Sequence, residues 1–152
     1  MLLKADLAGY SHRSLVEKLG IKPGTTLALV AAPRGYRTLL SPLPPGVRIR
    51  TRLAGRLSFI QFFCTRRGDL ARRLPALKRA LESDGALWVS WPKGSSGVAT
   101  DVNENIVREL ALANGLVDVK VCAVDDVWSG LKLVRRLRDR ATGAVPTNLT
   151  EC

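Results

Sequence analysis

Apolar residues along the chain fall into short continuous runs, separated by polar segments in which leucine and valine recur every three or four positions. Thr25 to Ala32 (TTLALVAA) is bounded by Gly24 and Pro33, the form of a strand buried on both faces of a parallel sheet. Ser58 to Cys64 (SFIQFFC) and Ala86 to Trp91 (ALWVSW) repeat that form, the second stopped by Pro92. Between the first two of these runs, Val47, Ile49 and Thr51 alternate with Arg48, Arg50 and Arg52, the period of a half-exposed strand at a sheet edge. Val117 to Val124 and Trp128 to Leu137 are joined only by Asp125-Asp126-Val127, a connection short enough to require an antiparallel hairpin.

The helical pattern occupies the intervals. In residues 11–19, Leu15, Val16 and Leu19 share one side, with Ser11 as N-cap and Gly20 as the stop. A short turn of helix is expected around Arg37 to Leu40. The clearest helix is residues 66–83, where Leu70, Leu74, Leu77 and Leu81 form the stripe, Asp69 is placed to cap, and Pro75 delays or kinks the helix. Arg72, Arg73, Lys78 and Arg79 lie off that stripe and should face water. Asp101 and Glu104 read as a capping box opening a helix to Asn114, with Ile106, Val107 and Leu110 inward and Gly115 ending it.

This order predicts a single α/β domain over residues 1–137, with a mostly parallel sheet, helices on both faces and a C-terminal antiparallel hairpin. Residues 138–152 hold few apolar residues and are expected to form a disordered tail. One tension remains. The second and third strands are separated by about seven residues, an extended reach of at most roughly 23 Å. A parallel crossover of that length requires short strands; otherwise the second strand is irregular or antiparallel.

Composition narrows the function classes. No run of 18 apolar residues occurs, so no membrane span is expected, and MLLKADLAGYSHRS lacks the apolar core of a secretory signal. A cytoplasmic location is the expectation. Cys64 and Cys122 lie inside strand-like runs and read as core, while His12 alone cannot complete a metal site, so neither metal nor cofactor is predicted.

The net charge of +11 is unevenly placed: residues 34–82 hold 12 Lys/Arg against 2 Asp/Glu, residues 83–131 hold 3 against 7, and residues 132–140 hold 5 against 1. Such a division marks either an anion-binding face, nucleic acid included, or a bias towards arginine codons. The low aromatic content and the absence of a nucleic-acid-binding signature weigh against the first reading.

The finishing hairpin after a helix resembles the end of a Rossmann-like methyltransferase core. More specifically, GYSHRSLVEKLGIKPG (9–24), ALVAAPRGY (28–36), GALWVSWPK (85–93) with SSGVATD (95–101), and GLVDVKVCAVDDVWSGLKLV (115–134) resemble an uncharacterised bacterial domain-of-unknown-function family with such a core. The resemblance implies a truncated methyltransferase-like topology but no activity. Methyltransferases approach their cofactor through a glycine-rich turn after the first strand and hold its ribose with a carboxylate ending the second. Here APRGY stands at the first place and Arg50 and Arg52 at the second, so ordinary S-adenosylmethionine binding is not expected.

The candidate site lies at the carboxyl edge of the sheet, where ligands settle in open α/β folds. Arg34 and Tyr36 follow the first strand. Trp91, Lys93, Ser95, Ser96 and Asp101 follow or end the central one, and Lys93 to Gly97 supplies a cation, hydroxyls and backbone amides suited to a phosphate or carboxylate. It is not a P-loop, since the Gly-Lys-Ser/Thr order is absent. No nucleophile–base pair is recognisable: His12 has no Ser or Asp partner in a motif, and adjacent Asp125 and Asp126 should point apart. The reading is therefore a non-catalytic module for a small anionic ligand or a protein partner. The alternatives are nucleic-acid association through residues 34–82 and an enzyme of unrecognised chemistry; an exposed edge strand offers a surface for pairing two copies.

Overall fold

The computed structural model describes residues 14–140. Six strands form one sheet in the order β2-β1-β3-β4-β6-β5: β1 (Thr26–Val30), β2 (Arg48–Arg50), β3 (Leu57–Phe63), β4 (Leu81–Pro92), β5 (Leu116–Ala123) and β6 (Trp128–Arg135). β2, β1, β3 and β4 run parallel, while β6 is antiparallel to both β4 and β5. The mostly parallel sheet with its finishing hairpin is as the sequence pattern requires. β2 is parallel to β1, and the short connection is accommodated because β2 is only three residues long.

Alternation along the strands divides the core. Leu27, Leu29, Phe59, Phe63 and Trp88 pack towards α1 (Leu15–Leu19) and α2 (Tyr36–Leu39). Ala28, Val30, Ile60, Phe62, Leu87, Val89 and Trp91 pack towards α3 (Arg67–Ala80) and α4 (Glu104–Ala113), meeting Leu70, Leu74 and Leu77 of α3 and Val107 and Ala111 of α4. Trp88 and Trp91 thus serve opposite faces, as their three-residue spacing demands. The Trp88 indole donates to the Leu19 carbonyl at 3.0 Å, tying α1 to the central strand.

Several helix ends differ from the sequence reading. Ser14, not Ser11, caps α1 through a reciprocal capping box with Glu17; Ser11 lies outside the described residues. Asn103 caps α4, its side-chain oxygen accepting from Ile106 N at 2.9 Å, so Asp101 and Glu104 do not form the predicted box. Asp101 instead accepts from Arg67 N at 2.6 Å and closes the start of α3 from a different loop, the role expected of Asp69. Asp69 pairs with Arg72 on the exposed surface. The competing geometry is tertiary: the loop before α4 passes beside α3, and a local motif cannot reveal that.

α3 runs through Pro75 and ends at Ala80, earlier than expected, because Leu81 is already extended and paired with Leu57. Gly85 marks where β4 rejoins β3. A Cβ there would lie 3.1 Å from the carbonyl oxygens of both Leu57 and Ser58, so a larger residue would push the two strands apart. Residues 138–140, placed in the tail by composition, follow β6 as a 3-10 turn (Leu137–Asp139) capped by Arg140. The rest of that tail lies outside the described residues.

Candidate functional site

The chain leaves β1 through Ala31, whose φ of 60° is the one positive value at a non-glycine among the described residues. Pro33 then accepts from Tyr36 N at 3.1 Å, with Gly35 at φ 82° turning the backbone into α2. This turn and the end of β2 enclose a cleft of about 400 Å³ lined by Leu29, Ala31, Ala32, Pro33, Arg37 and Thr51, among others. Its floor is apolar, while Thr51 and Arg37 supply a hydroxyl and a cation. Arg34, Arg50 and Arg52 lie exposed on the flanking turn and strand. The cleft sits beside the point where the sheet order reverses, β2 lying on one side of β1 and β3 on the other.

Tyr36 is only 2% exposed, and its hydroxyl donates to Gln61 Oε1 at 2.8 Å. Gln61 Nε2 in turn donates to Ser90 Oγ at 3.1 Å, completing a buried polar chain across α2, β3 and β4. Burial raises the Tyr36 phenol well above its usual range, with the Gln61 hydrogen bond working in the opposite direction. The ring meets Phe63 edge-on at 4.7 Å, and Phe63 meets Trp128 at 5.2 Å. Tyr36 therefore braces the cleft from beneath.

The loop after β4 is held by hydrogen bonds. Lys93 N donates to the Val127 carbonyl at 2.7 Å, and Ser96 Oγ donates to the Lys93 carbonyl at 2.7 Å while accepting from Val98 N. Thr100 Oγ1 donates to the Thr65 carbonyl at 2.7 Å. Asp101 lines a second cleft of about 590 Å³ with Thr65, Arg66, Gly68, Arg72 and Thr100 at the start of α3.

Apart from Trp91 in β4 and Tyr36, which opens α2, the sequence-predicted residues lie in loops and turns of the carboxyl edge, but the structure does not gather them into one pocket. Tyr36 belongs to the first cleft and Asp101 to the second, while Lys93, Ser95 and Ser96 line neither. Trp91 is 6% exposed within the core beneath α3 and α4. Asp125 Oδ1 accepts from Val127 N at 2.8 Å and Trp128 N at 2.7 Å, so its carboxylate shapes the hairpin turn.

Residues missed from sequence are Arg37, Thr51, Gln61 and Ser90. The signal for the last two was present: each is a polar residue inside an otherwise apolar strand, SFIQFFC and LWVSW.

With this geometry in view, the model of the family described as "Protein of unknown function (DUF3052)" matches residues 59–137. The chain belongs to that family. No curated protein sequence matches it. Among solved structures, it is similar to a SAM-dependent methyltransferase from Aquifex aeolicus (TM-score 0.59, 13% identity, 78% of this chain and 86% of that one). It is also similar to magnesium protoporphyrin IX methyltransferase (ChlM) from Synechocystis PCC 6803 with bound SAH (TM-score 0.57, 14% identity, 80% and 78%). A third is the mitomycin 7-O-methyltransferase MmcR (TM-score 0.59, 12% identity, 74% of this chain); the chain spans 49% of that enzyme's length. At such identities the likeness shows the fold alone: a methyltransferase-type core carried by a DUF3052 chain.

Proposed function

We propose that this protein is a non-catalytic, methyltransferase-like module that binds a small anionic ligand in the cleft at the carboxyl ends of β1 and β2. The observation that carries this reading is the cleft's make-up. An apolar floor beside the reversal point of the sheet has a hydroxyl from Thr51 and a cation from Arg37 in its wall, with Arg34, Arg50 and Arg52 around it. Where a methyltransferase places a carboxylate for ribose hydroxyls, this chain ends β2 with Arg50. Cations at that position favour phosphate or carboxylate over a neutral diol.

The test is thermal unfolding followed by tryptophan fluorescence against nucleoside phosphates, sugar phosphates and S-adenosylmethionine. A ligand at one hundred times its Kd stabilises the folded state by about 2.7 kcal/mol. The expected result is a rise in Tm with one of the phosphates, removed by Arg37→Ala. No shift with any anion, or micromolar binding of S-adenosylmethionine, overturns the proposal; the latter restores an enzymatic reading.

A further inference from the structure

The opposite edge of the sheet carries a second feature that owes nothing to the cleft. Arg56 precedes β3, Lys78 and Arg79 close α3, and Arg135 and Arg136 end or follow β6. The fold thereby joins cations from two separate basic stretches of the sequence. They line an open groove of about 880 Å³ whose single carboxylate is Asp139.

Helix ends account for part of this arrangement. Arg135 Nη2 donates to the carbonyls of Lys78 at 2.6 Å and Leu81 at 2.8 Å, and Arg136 Nη2 donates to the Leu112 carbonyl at 3.3 Å. Cations belong at such helix C-termini, where the dipole is negative. Arg79 lies in the last turn of α3, but Arg56 precedes a strand and has no helix end to serve; both are exposed, and neither forms an ion pair among the described residues.

Lys78 Nζ sits directly over Gly115, 2.8 Å from where a Cβ would stand, so the missing side chain makes room for the ammonium group. The wall also contains the one buried side-chain polar atom without a hydrogen-bond partner among the described residues, Arg135 Nε. Its burial keeps it from a docked phosphate, so the attraction of the groove for anions rests on its exposed cations.

We propose that this amino-edge groove docks a nucleic-acid duplex through its phosphate backbone, without base readout. Its openness suits an extended polyanion. No aromatic side chain lines it, so it has no platform for the stacking that single strands require.

The experiment is fluorescence anisotropy of a labelled mixed-sequence duplex titrated with the protein across a salt series. The logarithm of the association constant should fall linearly with the logarithm of salt concentration, by about 0.9 per phosphate neutralised. Replacing Arg56 and Arg79 together by alanine should reduce that slope by roughly 2, with similar weakening on every sequence. Asp139→Asn should shift binding in the opposite direction and tighten it. Both double-variant positions are exposed, and an unchanged Tm verifies that the fold is intact.

No binding at low salt overturns the proposal, as does a slope unchanged by the double variant or binding to anionic lipid vesicles without binding to the duplex. Loss of duplex binding with retention of the small-ligand Tm shift separates this groove from the cleft at the other edge.

Discussion

The buried chain from Tyr36 through Gln61 to Ser90 gives a sharp test of how the α1/α2 face is held. Tyr36→Phe removes one hydroxyl and keeps the ring, so the edge-on contact with Phe63 survives and only the 2.8 Å hydrogen bond is lost. Gln61 is 0% exposed, so its carbonyl oxygen cannot turn to water for a replacement donor. Leaving such a group unsatisfied costs about 1–3 kcal/mol. Urea unfolding followed by tryptophan fluorescence should show that loss with an unchanged m-value. Gln61→Met alone strands the Tyr36 hydroxyl, whereas the double variant strands neither of these two partners. The two losses should therefore fall short of adding, with a coupling of about 0.5–3 kcal/mol. A neutral Tyr36→Phe, or strictly additive losses, refutes the claim that this hydroxyl is buried and partnered. The phenol also makes stability depend on pH. Its pKa is raised in the folded state, so its contribution is complete below its ordinary value of 10.0 and declines as pH rises above it. Tyr36→Phe should remove that part of the alkaline loss.

Asp101→Ala should cost about 0.5–2 kcal/mol by removing the acceptor for Arg67 N, whereas Asp69→Ala, which loses only an exposed ion pair, should cost less than about 1 kcal/mol; equal losses in urea unfolding contradict the capping assignment. Burial, reinforced by Asp69 and Asp101, pushes the Cys64 thiol from 9.0 up to about 12. A folded pKa above the unfolded one means that stability is complete below pH 9 and falls from there towards 12, by at most about 1.4 kcal/mol per pH unit. Cys64→Ala should flatten the onset of that decline in circular dichroism melts between pH 8 and 10; an unchanged slope contradicts it.

The sheet was legible because its strands are buried on both faces, which gives TTLALVAA and SFIQFFC their unbroken apolar character. Glycine stops were legible for a similar reason: Gly20 and Gly115 adopt left-handed conformations that other residues avoid. Caps were less so. A carboxylate near a helix start can serve that helix or another, and Asp101 serves α3 although its sequence neighbours suggest α4. Lys93 to Gly97 looked like a ligand loop because Gly and Ser suit both flexible and tightly bonded turns. Here the Ser96 hydroxyl is bonded within the loop, and the cleft at the carboxyl ends of β1 and β2 is lined instead by Arg37 and Thr51, which no motif marks.

The excess of arginine has a structural explanation that reaches only part of the way. Edge strands need charge to resist pairing with other chains, and Arg48 and Arg50 meet that need on β2, exposed on either side of half-buried Ile49. The other edge, β5, exposes Val119 and Val121 and carries Asp118 and Lys120 there. Its pairing with β6 shifts register between Asp118 and Lys120, and such an irregularity blunts an edge without a cluster of cations. Edge protection therefore accounts for two arginines on one flank and needs none on the other. It gives no reason for Arg37 on α2, for Arg56 before β3, or for Arg79 at the end of α3, none of which lies on an outer strand. Those three divide between the two openings of the sheet, Arg37 in the carboxyl-edge cleft and Arg56 and Arg79 in the amino-edge groove. Part of the charge that edge protection leaves unexplained thus lines these two openings, and ligand binding is the property to measure at both.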